Sequence, residues 1–227
     1  MIQIIFEDEN LLVINKPAGV HSIVDGYDPS IPHVRTILEP DFGKLWIVHR
    51  LDKDTSGVMV LARSAKVHKI LNEQFSHREI KKQYLALVWG EFPEKLSNSH
   101  QLKLNGDRRH RTVMNELEGK SAQTDFILQE FLPDHASLVA AFPHTGYTHQ
   151  IRAHLLSAGY PILCDPLYYS IESRNFSLTL PLKRTALHAR LITFQHPISL
   201  DQVTFTAEIP KDILETIEFL KKTEHPK

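Results

Sequence analysis

The chain has 227 residues, 42% hydrophobic and 23% charged, with a formal net charge of −1 at pH 7. That is ordinary globular composition, long enough for a sizeable core, and no apolar run approaches the ~18 residues of a membrane span. The single cysteine, Cys164, excludes an internal disulfide and a multi-thiolate metal site and fits a reducing, cytoplasmic compartment.

The amino terminus has no basic start and meets acids at Glu7, Asp8 and Glu9, so no secretory leader is expected. Residues 2–6 and 11–15 predict a hairpin around Asp8-Glu9-Asn10. Residues 25–33, with Gly26, Pro29 and Pro32, predict a loop. Residues 46–51 and 57–63 are apolar runs that predict short buried strands. Ser64 has N-cap chemistry, and Val67, Ile70, Leu71 and Phe75 then fall at helical spacing. Residues 83–89 are apolar on both alternating faces and predict a central strand.

A second loop is expected over 91–100 around Pro93, and strands over 112–116, 121–130 and 137–142. Residues 148–158 predict a helix with Thr148 as N-cap and Gly159 closing it. Strands return over 187–194 and 203–209, and an amphipathic helix over 211–222 ends the pattern. Strands dominate and their connections are mixed. The expectation is therefore an α+β fold on a large mixed or antiparallel β-sheet with flanking helices.

Charge is unevenly spread. Residues 1–43 hold 2 basic and 7 acidic side chains, whereas residues 44–111 hold 14 basic and 7 acidic, a net of +7. The middle segment can present a basic face within a neutral whole, although solvated charge alone explains such a run.

Three polar clusters interrupt the apolar pattern. His49-Arg50-Leu51-Asp52-Lys53-Asp54-Thr55-Ser56-Gly57 lies between two strands, where a rigid sheet holds catalytic carboxylates as readily as a simple turn. Thr148-His149-Gln150-Ile151-Arg152-Ala153-His154 opens a helix, with His149 and Arg152 on one face. His144, His149 and His154 are five apart, so each is turned ~140° from the last and they do not converge on a metal. Lys103, Arg108, Arg109 and Arg111 form a basic loop suited to phosphates or simply to solvent. No Gly-x-Ser-x-Gly elbow and no Gly-rich phosphate loop is present, which disfavours a serine hydrolase and a nucleotide cofactor.

These residues resemble a known family. His49-Arg50-Leu51-Asp52 with Thr55-Ser56-Gly57 looks like the signature of the RluA family of pseudouridine synthases. Asn15-Lys16-Pro17-Ala18-Gly19-Val20, Lys82-Gln83-Tyr84-Leu85-Ala86, Gly119-Lys120-Ser121-Ala122-Gln123-Thr124, the Thr148–His154 segment, Gly159-Tyr160-Pro161-Ile162, Leu187-His188-Ala189-Arg190 and His196-Pro197 follow in family order. The resemblance implies one catalytic domain over 1–227 on a bent sheet (core about 10–210), with no preceding RNA-binding domain. It implies isomerisation of a uridine in structured tRNA or rRNA to pseudouridine, with no cofactor and no metal, by a cytoplasmic monomer. Asp52 falls on the family's catalytic aspartate, which attacks the sugar or removes its C2′ proton. Arg152 falls on the active-site arginine and would pair with Asp52. Tyr84 and Ile151 would hold the uracil, Arg50 would fill the gap left by the flipped base, and Lys103, Arg108, Arg109 and Arg111 would grip the RNA backbone.

One position departs from the pattern: Tyr147 stands where the family usually has an arginine. It supports a rival reading, a catalytically inactive RNA-binding relative. A second rival is a hydrolase using Asp52 with a histidine such as His49.

Overall fold

Asp8 turns the chain first. Its carboxylate accepts the backbone N–H groups of Asn10 and Leu11 at 2.8 and 2.6 Å, closing the hairpin of β1 (Gln3–Glu7) and β2 (Leu11–Lys16). The structure, a computed structural model, describes residues 2–222. The chain divides into two compact units, one running up to Lys82 and including Ala189–Glu208, the other comprising Gln83–His188 and the residues from Ile209 on.

In the first unit β2 pairs antiparallel with β4 (Ser56–Ala62), and Leu11 to Ile14 are fully buried. All seven residues of β4 are buried, which is why this stretch reads as a continuous apolar run. The two-residue β3 (Trp46–Ile47) also pairs with β4. The order continues to β11 (Leu187–Gln195), which also pairs antiparallel with β12 (Gln202–Thr206). Two helices complete this unit, α1 (Val34–Phe42) and α2 (Ala65–Ser76). Ser64 caps α2 as expected, its hydroxyl accepting Val67 N–H at 3.2 Å. Gln74 then ties α2 to β11 through two hydrogen bonds with the Gln195 backbone, at 2.8 and 3.1 Å.

The second unit is built on β5 (Lys81–Trp89), β10 (Ala136–Pro143), β9 (Thr124–Leu132) and β6 (Lys95–Asn98), adjacent in that order with the β5–β10, β10–β9 and β9–β6 pairs antiparallel. A separate ribbon joins β7 (Leu102–Lys103) and β8 (Val113–Met114). The helices are α3 (Gln150–Ser157), α4 (Ile171–Thr179) and α5 (Lys211–Lys222). Leu87, Phe126, Val139, Leu155 and Leu163 form the core with Ile213, Ile217 and Leu220 of α5. A bidentate pair between Arg184 and Asp212 (2.7 and 2.8 Å) fixes the start of α5.

The α+β class with dominant strands is thus as expected, but several boundaries move. Residues 48–51 are not strand, because Ser22 captures the backbone of Leu51. The strand expected over 112–116 shrinks to β8, that over 121–130 begins at Thr124, and that over 203–209 ends at Thr206. The expected loop at 91–100 contains β6, which completes its pairing on β9. Thr148 is not the N-cap of α3. That place is taken by His149 in the left-handed conformation (φ 58°), with no side-chain cap, while the carbonyl of Thr148 accepts the Thr112 hydroxyl at 2.7 Å. Gly159 (φ +87°) follows the helix end, where its lack of Cβ permits the turn.

Candidate active site

Asp52 sits on a turn closed by Thr55 N–H on its own carbonyl at 3.1 Å. Both neighbours of Asp52 are held by the first unit. Ser22, buried, donates its hydroxyl to the Leu51 carbonyl at 2.7 Å and accepts Leu51 N–H at 3.0 Å. On the other side, the Lys53 carbonyl accepts Gly19 N–H at 2.9 Å and the Lys16 ammonium at 3.1 Å. Lys16 is fully buried, and its ammonium also donates to the carbonyls of Pro17 and Val20 at 3.0 and 2.8 Å. Three N–H donors therefore meet three carbonyls. The Asn15–Val20 motif acquires a physical role here: it is a brace for the backbone around Asp52.

Gly57 follows the turn with φ +123°. A Cβ there would lie 2.2 Å from the Ala189 carbonyl, so glycine alone lets β4 and β11 approach this closely. Arg50 is exposed. His49 is engaged in the sheet. Its Nε2 accepts Val60 N–H at 2.9 Å and its ring stacks on Phe75 with centroids 5.1 Å apart. Burial first, and the charge of Lys82 second, push the imidazole down to about 3. With its Nε2 lone pair taken by Val60 N–H and its face on Phe75, His49 serves as a structural ring. Burial also pushes Lys82 down to about 8.

In the second unit, Tyr84 lies on β5 opposite Ala141 of β10 and packs against the core. Ile151, 6% exposed, belongs to that core. Arg152, 5% exposed, forms a fork-to-fork ion pair with Asp165: Nε to Oδ2 at 2.7 Å and Nη2 to Oδ1 at 2.8 Å. Asp165 Oδ1 also accepts the N–H groups of Leu167 and Tyr168 at 2.8 and 3.0 Å. Tyr168 lays its ring beside the guanidinium at 4.8 Å. Burial pushes its phenol up to about 12, so the hydroxyl stays protonated while it accepts Thr112 N–H at 2.7 Å and meets His149 Nδ1 at 3.1 Å.

The helix motif around Arg152 is bound into the fold. Gln150 accepts from the Thr145 hydroxyl and Tyr147 N–H (2.8 and 3.1 Å) and donates to the Gln123 carbonyl and Thr124 hydroxyl (both 3.0 Å). His154 is buried between the Thr124 hydroxyl and the His100 carbonyl, at 3.0 and 3.2 Å. Tyr147 packs on the small cluster of Leu102, Ala122, Ala153 and Tyr168, so the residue that departs from the family pattern supplies packing where a cation is usual. Among the described residues no group of three or more His, Cys, Asp or Glu side chains is placed to hold a metal.

The basic loop is partly folded back. Lys103 pairs with Glu118. Arg111 pairs with Asp107 at 2.7 Å and donates to the Leu167 carbonyl at 3.0 Å. Arg108 and Arg109 are exposed. The structure therefore gathers Arg152, Arg109 and Arg111 around the 165–169 turn and leaves Ile151 in the core, while Asp52 and Arg50 belong to the first unit. Sequence reading missed Asp165 and the two braces of the Asp52 turn. The only signal for Asp165 was an acid shortly after the Gly159–Ile162 motif.

The family model described as RNA pseudouridylate synthase matches residues 10–157. The chain is 37% identical over 212 residues to the "Dual-specificity RNA pseudouridine synthase RluA" of Salmonella typhi, covering 92% of this chain and 93% of that protein. The chain belongs to the RluA family of RNA pseudouridine synthases. Similarity to the "Ribosomal large subunit pseudouridine synthase D" of Zymomonas mobilis is 37% over 227 residues, 93% of this chain and 70% of that protein. The solved structure of "Human RNA Pseudouridylate Synthase Domain Containing 1" shares the fold, with a TM-score of 0.75 at 23% identity over 100% of this chain and 97% of that one. RluA-family enzymes are isomerases, and this chain is an isomerase of that class.

Proposed function

We propose that the chain converts specific uridines of structured tRNA or rRNA to pseudouridine, with Asp52 as the catalytic carboxylate. One observation carries the reading: the match to the dual-specificity enzyme spans 92% of this chain and 93% of that protein. The braced turn supports the role of Asp52, because a reacting carboxylate gains from a backbone fixed before substrate arrives. The chain is read as a cytoplasmic, monomeric catalytic domain that works without metal or cofactor.

In the reaction the N1–C1′ bond breaks, the uracil turns, and a C5–C1′ bond forms; C5 loses a proton and N1 gains one. The reacting atoms are out of reach in a stacked helix, so the nucleotide must be flipped out at a cost of a few kcal/mol. Arg50, exposed on the Asp52 loop, fills the vacated stack, since a guanidinium plane stacks on bases. Tyr84 and Ile151 hold the uracil. Arg152 serves as the active-site arginine of the family pattern.

Tritium release from RNA labelled at uracil C5 tests the proposal. The wild-type protein releases tritium and Asp52→Asn does not; full turnover by Asp52→Asn overturns the assignment. Loss of both release and pseudouridine formation for every tRNA and rRNA offered to the wild type overturns the activity itself, in favour of an RNA-binding relative.

A further inference from the structure

Two successive tyrosines carry the same arrangement with opposite outcomes. Tyr168, 2% exposed, has Arg111 and Arg152 over its ring at 5.8 and 4.8 Å. Each of those cations has its own carboxylate, Asp107 for Arg111 and Asp165 for Arg152. Tyr169, the next residue, is only half-buried and has Arg109 and Arg174 over its ring at 5.8 and 5.0 Å. Among the described residues neither of these two arginines has a carboxylate partner. Arg109 donates to the Pro166 carbonyl at 3.4 Å and Arg174 to the Tyr169 hydroxyl at 3.3 Å.

The arginines come from separate elements, Arg109 from the β7–β8 loop and Arg174 from α4. The acids on those elements are engaged elsewhere: Asp107 with Arg111, and Glu172 with its own backbone N–H and the Ser170 hydroxyl at the start of α4. Two guanidinium groups drawn to one exposed ring repel each other, and ordering two long side chains has an entropic cost. An anion bound between them offsets both. Arg109 first, then Arg174, holds the Tyr169 hydroxyl below the usual phenol range, as expected for concentrated positive charge.

We propose that Arg109, Tyr169 and Arg174 form a docking clamp for a backbone phosphate of the substrate RNA. The proposal rests on the RNA reading above and adds a contact outside the uracil site. Guanidinium forks match phosphate oxygens in pairs, and exposed Arg108 extends the positive surface beside them. The clamp shares a rigid turn with the Arg152 partner: Asp165 binds Arg152 and also accepts Leu167 N–H and Tyr168 N–H. A strand seated on Tyr169 is thereby held in register with Arg152.

The test uses the full chain, a fluorescein-labelled oligouridylate 12-mer and an unmodified tRNA transcript, with binding measured across a series of NaCl concentrations. Arg174→Gln and Arg109→Gln should each weaken binding about 3- to 10-fold and lower the slope of log K against log salt by about 0.7 to 0.9. Arg174→Lys should keep the slope, and Tyr169→Leu should weaken binding without changing it, since stacking releases no counterions. Circular dichroism and the unfolding midpoint confirm that each variant is folded. Unchanged affinity and slope in folded Arg174→Gln and Tyr169→Leu overturn the clamp, as does absence of binding by the wild type to both probes. Clamp-dependent binding without tritium release from any RNA leaves the clamp standing and sinks the catalytic reading; tritium release with indifferent clamp variants does the reverse.

Discussion

Arg152 and Asp165 meet fork to fork with both side chains buried, 7% and 0% exposed. Removing one partner from such a pair leaves a buried charge unanswered, which typically costs ~3–5 kcal/mol. Asp165 also anchors the turn that carries Tyr168. Asp165→Asn should therefore lower stability by a few kcal/mol in urea unfolding. It should also reduce kcat in tritium release and raise the KM for RNA, because it loosens both Arg152 and the turn that carries Tyr169. A variant as stable as the wild type would show that the pair contributes little.

Ser22 holds Leu51 by both backbone polar groups, and Lys16 holds Lys53, so Asp52 lies between two fixed points. Ser22→Ala leaves a buried donor and acceptor unsatisfied, a loss of ~1–3 kcal/mol. With the turn loosened, kcat should fall at least 10-fold, the KM for RNA should hardly move, and Ser22→Thr should restore part of the rate. Retention of full kcat by folded Ser22→Ala would show that the turn holds itself.

Gly57 has both a positive φ and no room for a side chain. Gly57→Ala should be among the most damaging small substitutions in the chain. Overlap with the Ala189 backbone forces β4 and β11 apart, and losses above ~4 kcal/mol are characteristic of such a combination. Thermal unfolding checks this, and a midpoint within a degree of the wild type would contradict the close approach.

His49 resists protonation until about pH 3 in the folded chain, whereas the unfolded chain takes up that proton near ~6.5. Between those values the unfolded state binds more protons, so stability rises with pH there and is lost on acidification. The limiting slope for one group is ~1.4 kcal/mol per pH unit. His49→Gln retains an acceptor for Val60 N–H but cannot titrate. Its urea midpoint should vary less steeply than that of the wild type between pH 6.5 and 4.5; parallel curves would show that His49 is not the source.

Local chemistry made some of this legible. The apolar run of β4, the Ser64 cap and the stripe of α5 each declare themselves within a few residues. What escaped depends on distant partners. Residues 48–51 have strand composition, yet Ser22, some thirty positions earlier, takes their backbone out of the sheet. Thr148 looks like a cap, but its carbonyl is engaged by Thr112 and the left-handed turn falls on His149. Helix α4 leaves Ile171 and Leu178 exposed at 74% and 73%, so no buried stripe marks it. Asp52, Tyr84 and Arg152 were identifiable only by family motif, because an acid, a phenol and a guanidinium at those spacings have no periodicity of their own.

The division of the first unit between residues up to 82 and residues 189–208 has a consequence during synthesis. Strand β4 is made early, but its neighbour β11 leaves the ribosome roughly 130 residues later. At ~5–20 residues per second that is a delay of about 6–25 s. Throughout it, a strand whose residues are all buried in the finished fold waits with one edge covered only by the two-residue β3, the condition that invites pairing with another chain. Nascent chains truncated before residue 189 should therefore be the form of this protein most dependent on chaperones.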